Sequence, residues 1–154
     1  MGKRFKISNR LLRKLQPGWT KSRRHVLTYH RGTETILLVD DEDSLRIVVV
    51  DLLRQLGYQV LTASSGKEAL SVAEKHSSKI DLLVTDVIMD ELPGPELAEI
   101  LLTSRPDMKV IFISGYAEGS LAPDGVLKPG TILVQKPFTI KILSAKVREV
   151  LDKR

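Results

Sequence analysis

Five short apolar runs alternate along this chain with stretches whose apolar residues recur at helical spacing. That alternation restricts the fold more than any other feature. Strand–helix repeats of this kind lead to a parallel sheet with helices on both faces and right-handed crossovers. The runs are Thr35–Val39, Tyr58–Thr62, Asp81–Asp86, Lys109–Ile113 and Thr131–Gln135. Leu82, Leu83 and Val84 show no polar alternation, as suits a strand buried on both faces. Between the runs, Leu45, Val48, Val49, Leu52, Leu53 and Leu56 fit one helical face, with Ser44 as its cap and Gly57 closing it. Ser65 and Glu68 have capping-box spacing ahead of Ala69, Leu70, Val72 and Ala73. A third helix is predicted from Gly94 to Ser104, with Leu97, Ile100 and Leu101 inward. Thr139 opens a last one, with Ile142, Leu143, Val147, Val150 and Leu151 inward. Pro123-Asp124-Gly125 and Lys128-Pro129-Gly130 break the stretch Tyr116–Gly130, so the fourth helix is predicted short or irregular.

Charge divides the chain in two. Ten of its 24 Lys and Arg, and none of its 19 Asp and Glu, fall in residues 1–32. The formal net charge of +5 is therefore a tail of +10 joined to a domain of −5. In the tail, Ile7, Leu11, Leu12 and Leu15 recur at helical spacing until Pro17-Gly18. Trp19 to Arg31 has no clear period. A poorly ordered basic extension over residues 1–32 is the simplest reading. An amphipathic helix for a partner or membrane surface is a second, and a nucleic-acid arm a third. Nothing in the tail reads bases, which argues against nucleic acid. With no cysteine in its 154 residues, the chain has no disulfide, thiol or Cys–metal chemistry. No apolar run approaches membrane-spanning length and no secretory h-region is present, so the expected location is cytoplasmic.

Polar chemistry collects where the predicted strands end, which in open α/β sheets is where the functional crevice lies. Strand one ends at Asp40 and Asp41, strand three at Asp86, strand four at Ser114 and strand five at Lys136. Singly each is ordinary: Asp pairs cap turns, Ser-Gly makes turns, and Lys-Pro sits in solvated loops. If strands one and three are neighbours at the switch point of such a sheet, their three carboxylates would converge. Such a cluster resists joint ionisation unless a cation neutralises it, and an all-oxygen open site suits Mg²⁺. A carboxylate, a metal, a hydroxyl and a lysine together suit phosphoryl transfer with Asp86 as nucleophile.

Residues 33–154 resemble a response-regulator receiver domain of two-component signalling. The matching pieces are Ile-Leu-Leu-Val-Asp40-Asp41-Glu, Thr-Asp86-Val-Ile-Met, Ile-Ser114-Gly-Tyr-Ala and Gln-Lys136-Pro137-Phe138. The last two are similar in wording to receivers fused to hybrid sensor kinases. The resemblance implies a flavodoxin-like, doubly wound sheet in the order 2-1-3-4-5, and no enzymatic activity beyond self-phosphorylation and dephosphorylation. It implies that Asp86 accepts a phosphoryl group from a sensor histidine kinase or phosphotransfer protein. Asp41, Asp86 and the Ile88 carbonyl would ligate Mg²⁺, with Asp40 holding a metal water. Ser114 would turn toward the phosphoryl group, Lys136 would pair with it, and the Lys136–Pro137 peptide would be cis. A downstream protein, or a second copy in a homodimer, would use the face made by the fourth helical segment, strand five and the last helix.

Two positions depart from the family pattern. Leu133 stands where an aromatic often changes rotamer, and Asp90 where a Pro often follows the Met. Ile88 and Tyr116 occupy positions that tune dephosphorylation. Two other functions compete with the receiver. A dehalogenase-like phosphatase would use Asp41, since Asp41-Glu42-Asp43 fits an Asp-x-Asp pattern. A DNA-binding adaptor would use the basic tail.

Overall fold

The computed structural model describes residues 29–115 and 131–153. In chain order these form β1 (Thr35–Val39), α1 (Asp43–Gln55), β2 (Gln59–Ala63), α2 (Gly66–Lys75), β3 (Leu82–Asp86), α3 (Gly94–Ser104), β4 (Lys109–Ser114), β5 (Ile132–Gln135) and α4 (Ile140–Asp152). All strand pairs are parallel, in the order β2-β1-β3-β4-β5. This is the doubly wound sheet expected from the alternation of runs. The predicted irregular helix over Tyr116–Gly130 and the tail up to Thr28 lie outside the described residues.

Side-chain alternation along each strand divides the core between the two faces. Ile36 and Leu38 of β1 pack with Val60, Val84, Ile111 and Ile113 under α1 and α4. Leu37 and Val39 pack with Leu83, Ala69, Ala73, Leu97 and Leu101 under α2 and α3. Two inward assignments need correction, because Ile100 and Ile142 are both about half exposed. At about 100° per residue, each is rotated off the stripe that Leu97, Ala98 and Leu101, or Leu143, Val147 and Val150, direct at the sheet.

The helix caps follow the sequence with one exception. Ser65 Oγ accepts from Glu68 N–H and Thr139 Oγ1 from Ile142 N–H, each at 3.1 Å. Glu68 returns its carboxylate to Ser64 rather than to Ser65. The cap of α1 is Glu42, two residues before Ser44, and its side chain makes no capping bond. Gly57 closes α1 at φ +105°, where a Cβ would lie 2.4 Å from the Gly32 carbonyl. Asp81 fixes the start of β3 against β1: Thr35 N–H donates to its carboxylate at 2.8 Å, and its own N–H donates to the Thr35 carbonyl at 2.9 Å.

Arg148 joins α4 to the approach to β1. Its guanidinium donates to the Arg31 carbonyl, to both Glu34 oxygens, to the Tyr58 hydroxyl and to Asp152. Just upstream, Tyr29 is buried in the core. The Arg148 hydrogen bonds hold the Glu34 carboxyl down to about 2, from an ordinary 4.5. A depressed carboxyl stabilises the fold above its unfolded value and loses that contribution as pH falls through its folded value. Replacing Arg148 by Met is expected to cost about 1–2 kcal/mol at pH 7. In urea titrations this deficit should shrink steadily between pH 5 and pH 2. A deficit independent of pH would show that packing, and not the ion pair, is what Arg148 supplies.

Candidate functional site

The carboxyl ends of β1, β3, β4 and β5 deliver Asp40, Asp86, Ser114 and Lys136 to one end of the sheet. Strand pairing sets their depth: Asp86 lies level with Ile113, and Ser114 level with Gln135. Asp40 is held from three sides. Its N–H donates to the Ala63 carbonyl, its Oδ1 accepts from Glu42 N–H at 2.8 Å, and its carbonyl accepts from Arg46 at 2.6 Å. Asp40, Asp86 and Ser114 are buried, whereas Asp41 is exposed at the rim.

One oxygen from each of Asp40, Asp41 and Asp86 lies within 4.8 Å of the others. Among the described residues these three acids can hold a metal ion together. The donor set suits a hard divalent cation: all ligands are carboxylate oxygens, two of the acids are buried, and Asp41 leaves an open side for water. Two oxygens on one Mg²⁺ lie at most about 4.2 Å apart, so only a small contraction separates this cluster from such a centre.

Lys136 faces the same acids from β5. Its Nζ lies 3.1 Å from Asp40 Oδ2, 3.4 Å from Asp86 Oδ2 and 3.5 Å from Glu42 Oε2. Burial alone would lower its pKa, but the Asp40 and Asp86 charges outweigh that and raise it, so it is a cation at neutral pH. Burial pushes the Asp86 carboxyl up. Lys136 opposes that shift, the Asp40 charge adds to it, and the Ile88 N–H opposes it by donating to the carboxylate. The Lys136–Pro137 peptide is cis, as expected.

The loop behind Asp86 is tightly built. Val87 N–H donates to Ile113 and Gly94 N–H returns to the Val87 carbonyl, both at 2.9 Å. After Asp90, Glu91 takes a left-handed φ of 67°, a region few non-glycine residues occupy. Ile88 is exposed beside the carboxylate. Leu133 packs partly buried against the α2/α3 side of the core with Phe112, and Tyr116 lies outside the described residues. The structure thus brings Asp40, Asp41, Asp86 and Lys136 together and places Ser114 at the adjoining strand end. Two residues escaped the sequence reading: Arg46, which anchors the Asp40 carbonyl, and Glu42, which reaches Lys136. An acid next to the Asp pair and an arginine one helical turn later were the available signals.

Comparison with known proteins agrees with this architecture. The family model described as "Response regulator receiver domain" matches residues 36–148. The chain is 42% identical to the sensor kinase CckA of Brucella abortus over 123 residues. That match covers 80% of this chain but only 13% of the kinase's length. It is 32% identical to the response regulator receiver protein CpdR of the same organism, covering 75% of this chain and 95% of that protein. Among solved structures, the response regulator TrrA of Thermotoga maritima, in complex with Mg²⁺ and BeF, is similar with a TM-score of 0.63 at 29% identity. The match covers 76% of this chain and 98% of TrrA. No helix among the described residues is long and apolar enough to cross a membrane. The family is one of signalling receivers rather than stand-alone catalysts. On the match that runs from β1 into α4, the chain belongs to the response regulator receiver domains of two-component signalling.

Proposed function

We propose that this domain accepts a phosphoryl group on Asp86 from the phosphohistidine of a sensor kinase or phosphotransfer protein. The observation that carries the proposal is the placement of Asp86. Of the two buried acids that belong to the metal-capable cluster and touch Lys136, Asp86 is the more accessible: its side chain is 13% exposed against 2% for Asp40, whose Oδ1 is taken by the Glu42 N–H. An Asp86 oxygen attacks phosphorus as the bond to the donor nitrogen breaks, and the imidazole departs with the electron pair. Asp40, Asp41, Asp86 and the Ile88 carbonyl are the residues that would hold Mg²⁺, whose charge would screen the two anions as they approach. Lys136 balances negative charge from the other side, and the Ser114 hydroxyl donates to a phosphoryl oxygen.

Phosphorylation shifts the domain between two existing states and changes the face that includes β5 and α4, where a protein partner or a second copy binds. Residues 33–154 form the receiver proper and 1–32 a basic extension whose last residues pack back on it, Tyr29 in the core and the Arg31 carbonyl on Arg148, in a cytoplasmic protein that does not depend on nucleic acid. Incubation with acetyl phosphate and Mg²⁺, followed by reductive trapping and peptide mapping, is expected to place the label on Asp86. A label on Asp41 would instead support phosphatase-like chemistry.

A further inference from the structure

We propose that Glu42 is a positioning residue that restrains phosphorylation by holding Lys136 against the incoming phosphoryl group. This rests on Asp86 being the phosphoacceptor. The backbone of Glu42 is fixed twice, its N–H donating to Asp40 Oδ1 at 2.8 Å and its carbonyl accepting from Arg46 N–H at 3.0 Å. Its side chain is spared the usual task of its position, because as cap of α1 it makes no capping bond. It extends across the cleft mouth to Lys136 instead. It is not a member of the cluster that can hold a metal, which comprises Asp40, Asp41 and Asp86 among the described residues.

The ammonium of Lys136 has three N–H donors, and three carboxylates face it. A phosphoryl oxygen arriving on Asp86 therefore has to displace one of them. The side chains of Asp40 and Asp86 are 2% and 13% exposed, and that of Glu42 is 56% exposed. The outermost acid regains water when it leaves, and an exposed ion pair is weakly held, so Glu42 is the one that yields. While in place, it also turns a negative charge toward an incoming dianion. Glu42 thus sets a threshold on phosphorylation: Lys136 is shared until a phosphoryl group competes for it.

The test compares full-length wild type with Glu42→Gln and Glu42→Asp. Gln removes the charge at nearly constant shape. Asp keeps the charge but is one methylene shorter, and at a helix cap it turns back onto its own helix. Both variants are expected to raise the initial rate of acetyl-phosphate labelling about two- to fivefold at low salt, with a smaller gain at high salt. In chelator, without metal, both should also show faster modification of Lys136 by an amine-acylating reagent, mapped by mass spectrometry. Rates at or below wild type in both variants overturn the proposal. So does a gain in Glu42→Gln alone, which would make the effect one of general charge. If the wild-type label maps away from Asp86, the phosphoacceptor reading fails, and the Lys136 modification rates still decide whether Glu42 holds the lysine.

Discussion

Asp86→Asn is expected to reduce labelling by acetyl phosphate in Mg²⁺ to background while making the protein more stable. The first effect is chemical, since a carboxamide lacks the anionic oxygen that attacks phosphorus. The second follows from the environment. Burial raises the Asp86 pKa, so the ionised form is the one the fold disfavours. A carboxyl raised in the folded state contributes its stability below its unfolded pKa and loses it as pH climbs through the folded value. At pH 7 the ionised side chain is therefore a liability, and Asn removes it. Lys136 is not stranded by the change, because Asp40 and Glu42 remain within 3.5 Å of its Nζ. A gain of about 1 kcal/mol is expected in chelator, visible as a rise of a few degrees in Tm. The gain should diminish toward pH 3, where the wild-type carboxyl is protonated. A variant that is labelled at the wild-type rate would remove Asp86 from the mechanism.

Gly94→Ala is expected to cost at least about 3 kcal/mol and to slow labelling of Asp86. A Cβ at this position would lie 2.1 Å from the Asp86 carbonyl oxygen and 3.0 Å from its carbon. Both obstacles are main chain, so no side chain can swing aside. The requirement is for close approach rather than for a left-handed backbone. Gly94 begins α3, and its N–H closes the loop by donating to the Val87 carbonyl at 2.9 Å. Accommodating a methyl group means lifting α3 off the end of β3, which moves the acceptor carboxylate relative to Asp40 and Lys136. Urea unfolding gives the stability change and acetyl-phosphate kinetics the positional one. A loss under about 1 kcal/mol with a wild-type labelling rate would show that the loop absorbs the methyl locally.

Much of this was legible in the residues alone because strand ends announce themselves. A strand buried on both faces is mostly apolar along its length, so Asp86, following Leu82-Leu83-Val84-Thr85, marked the edge of the sheet and the mouth of a crevice. The same contrast marked Asp40 and Lys136. Amphipathic stripes were less exact, because a stripe wide enough to include Ile100 or Ile142 differs from the true one by a single residue of helical rotation. The cap of α1 was missed because Ser44 is the better capping residue by type. The bonds that tie Glu42 and Arg46 to Asp40 begin the helix earlier. Glu42 meeting Lys136 pairs residues 94 positions apart. No local pattern contains such a contact; it depends on Lys136 reaching from the end of β5 to the residue that caps α1.

The grip of Arg148 on Arg31 and Glu34 has an architectural consequence. Because α4 runs back against the direction of the strands, the lead-in to β1 and the last turn of α4 emerge side by side. They do so at the pole of the sheet remote from Asp86. A domain whose two ends share one doorway can be spliced into a larger polypeptide as a self-contained cassette, without its neighbours being prised apart. Whatever is attached at either end then starts from the far pole and leaves the acidic mouth clear.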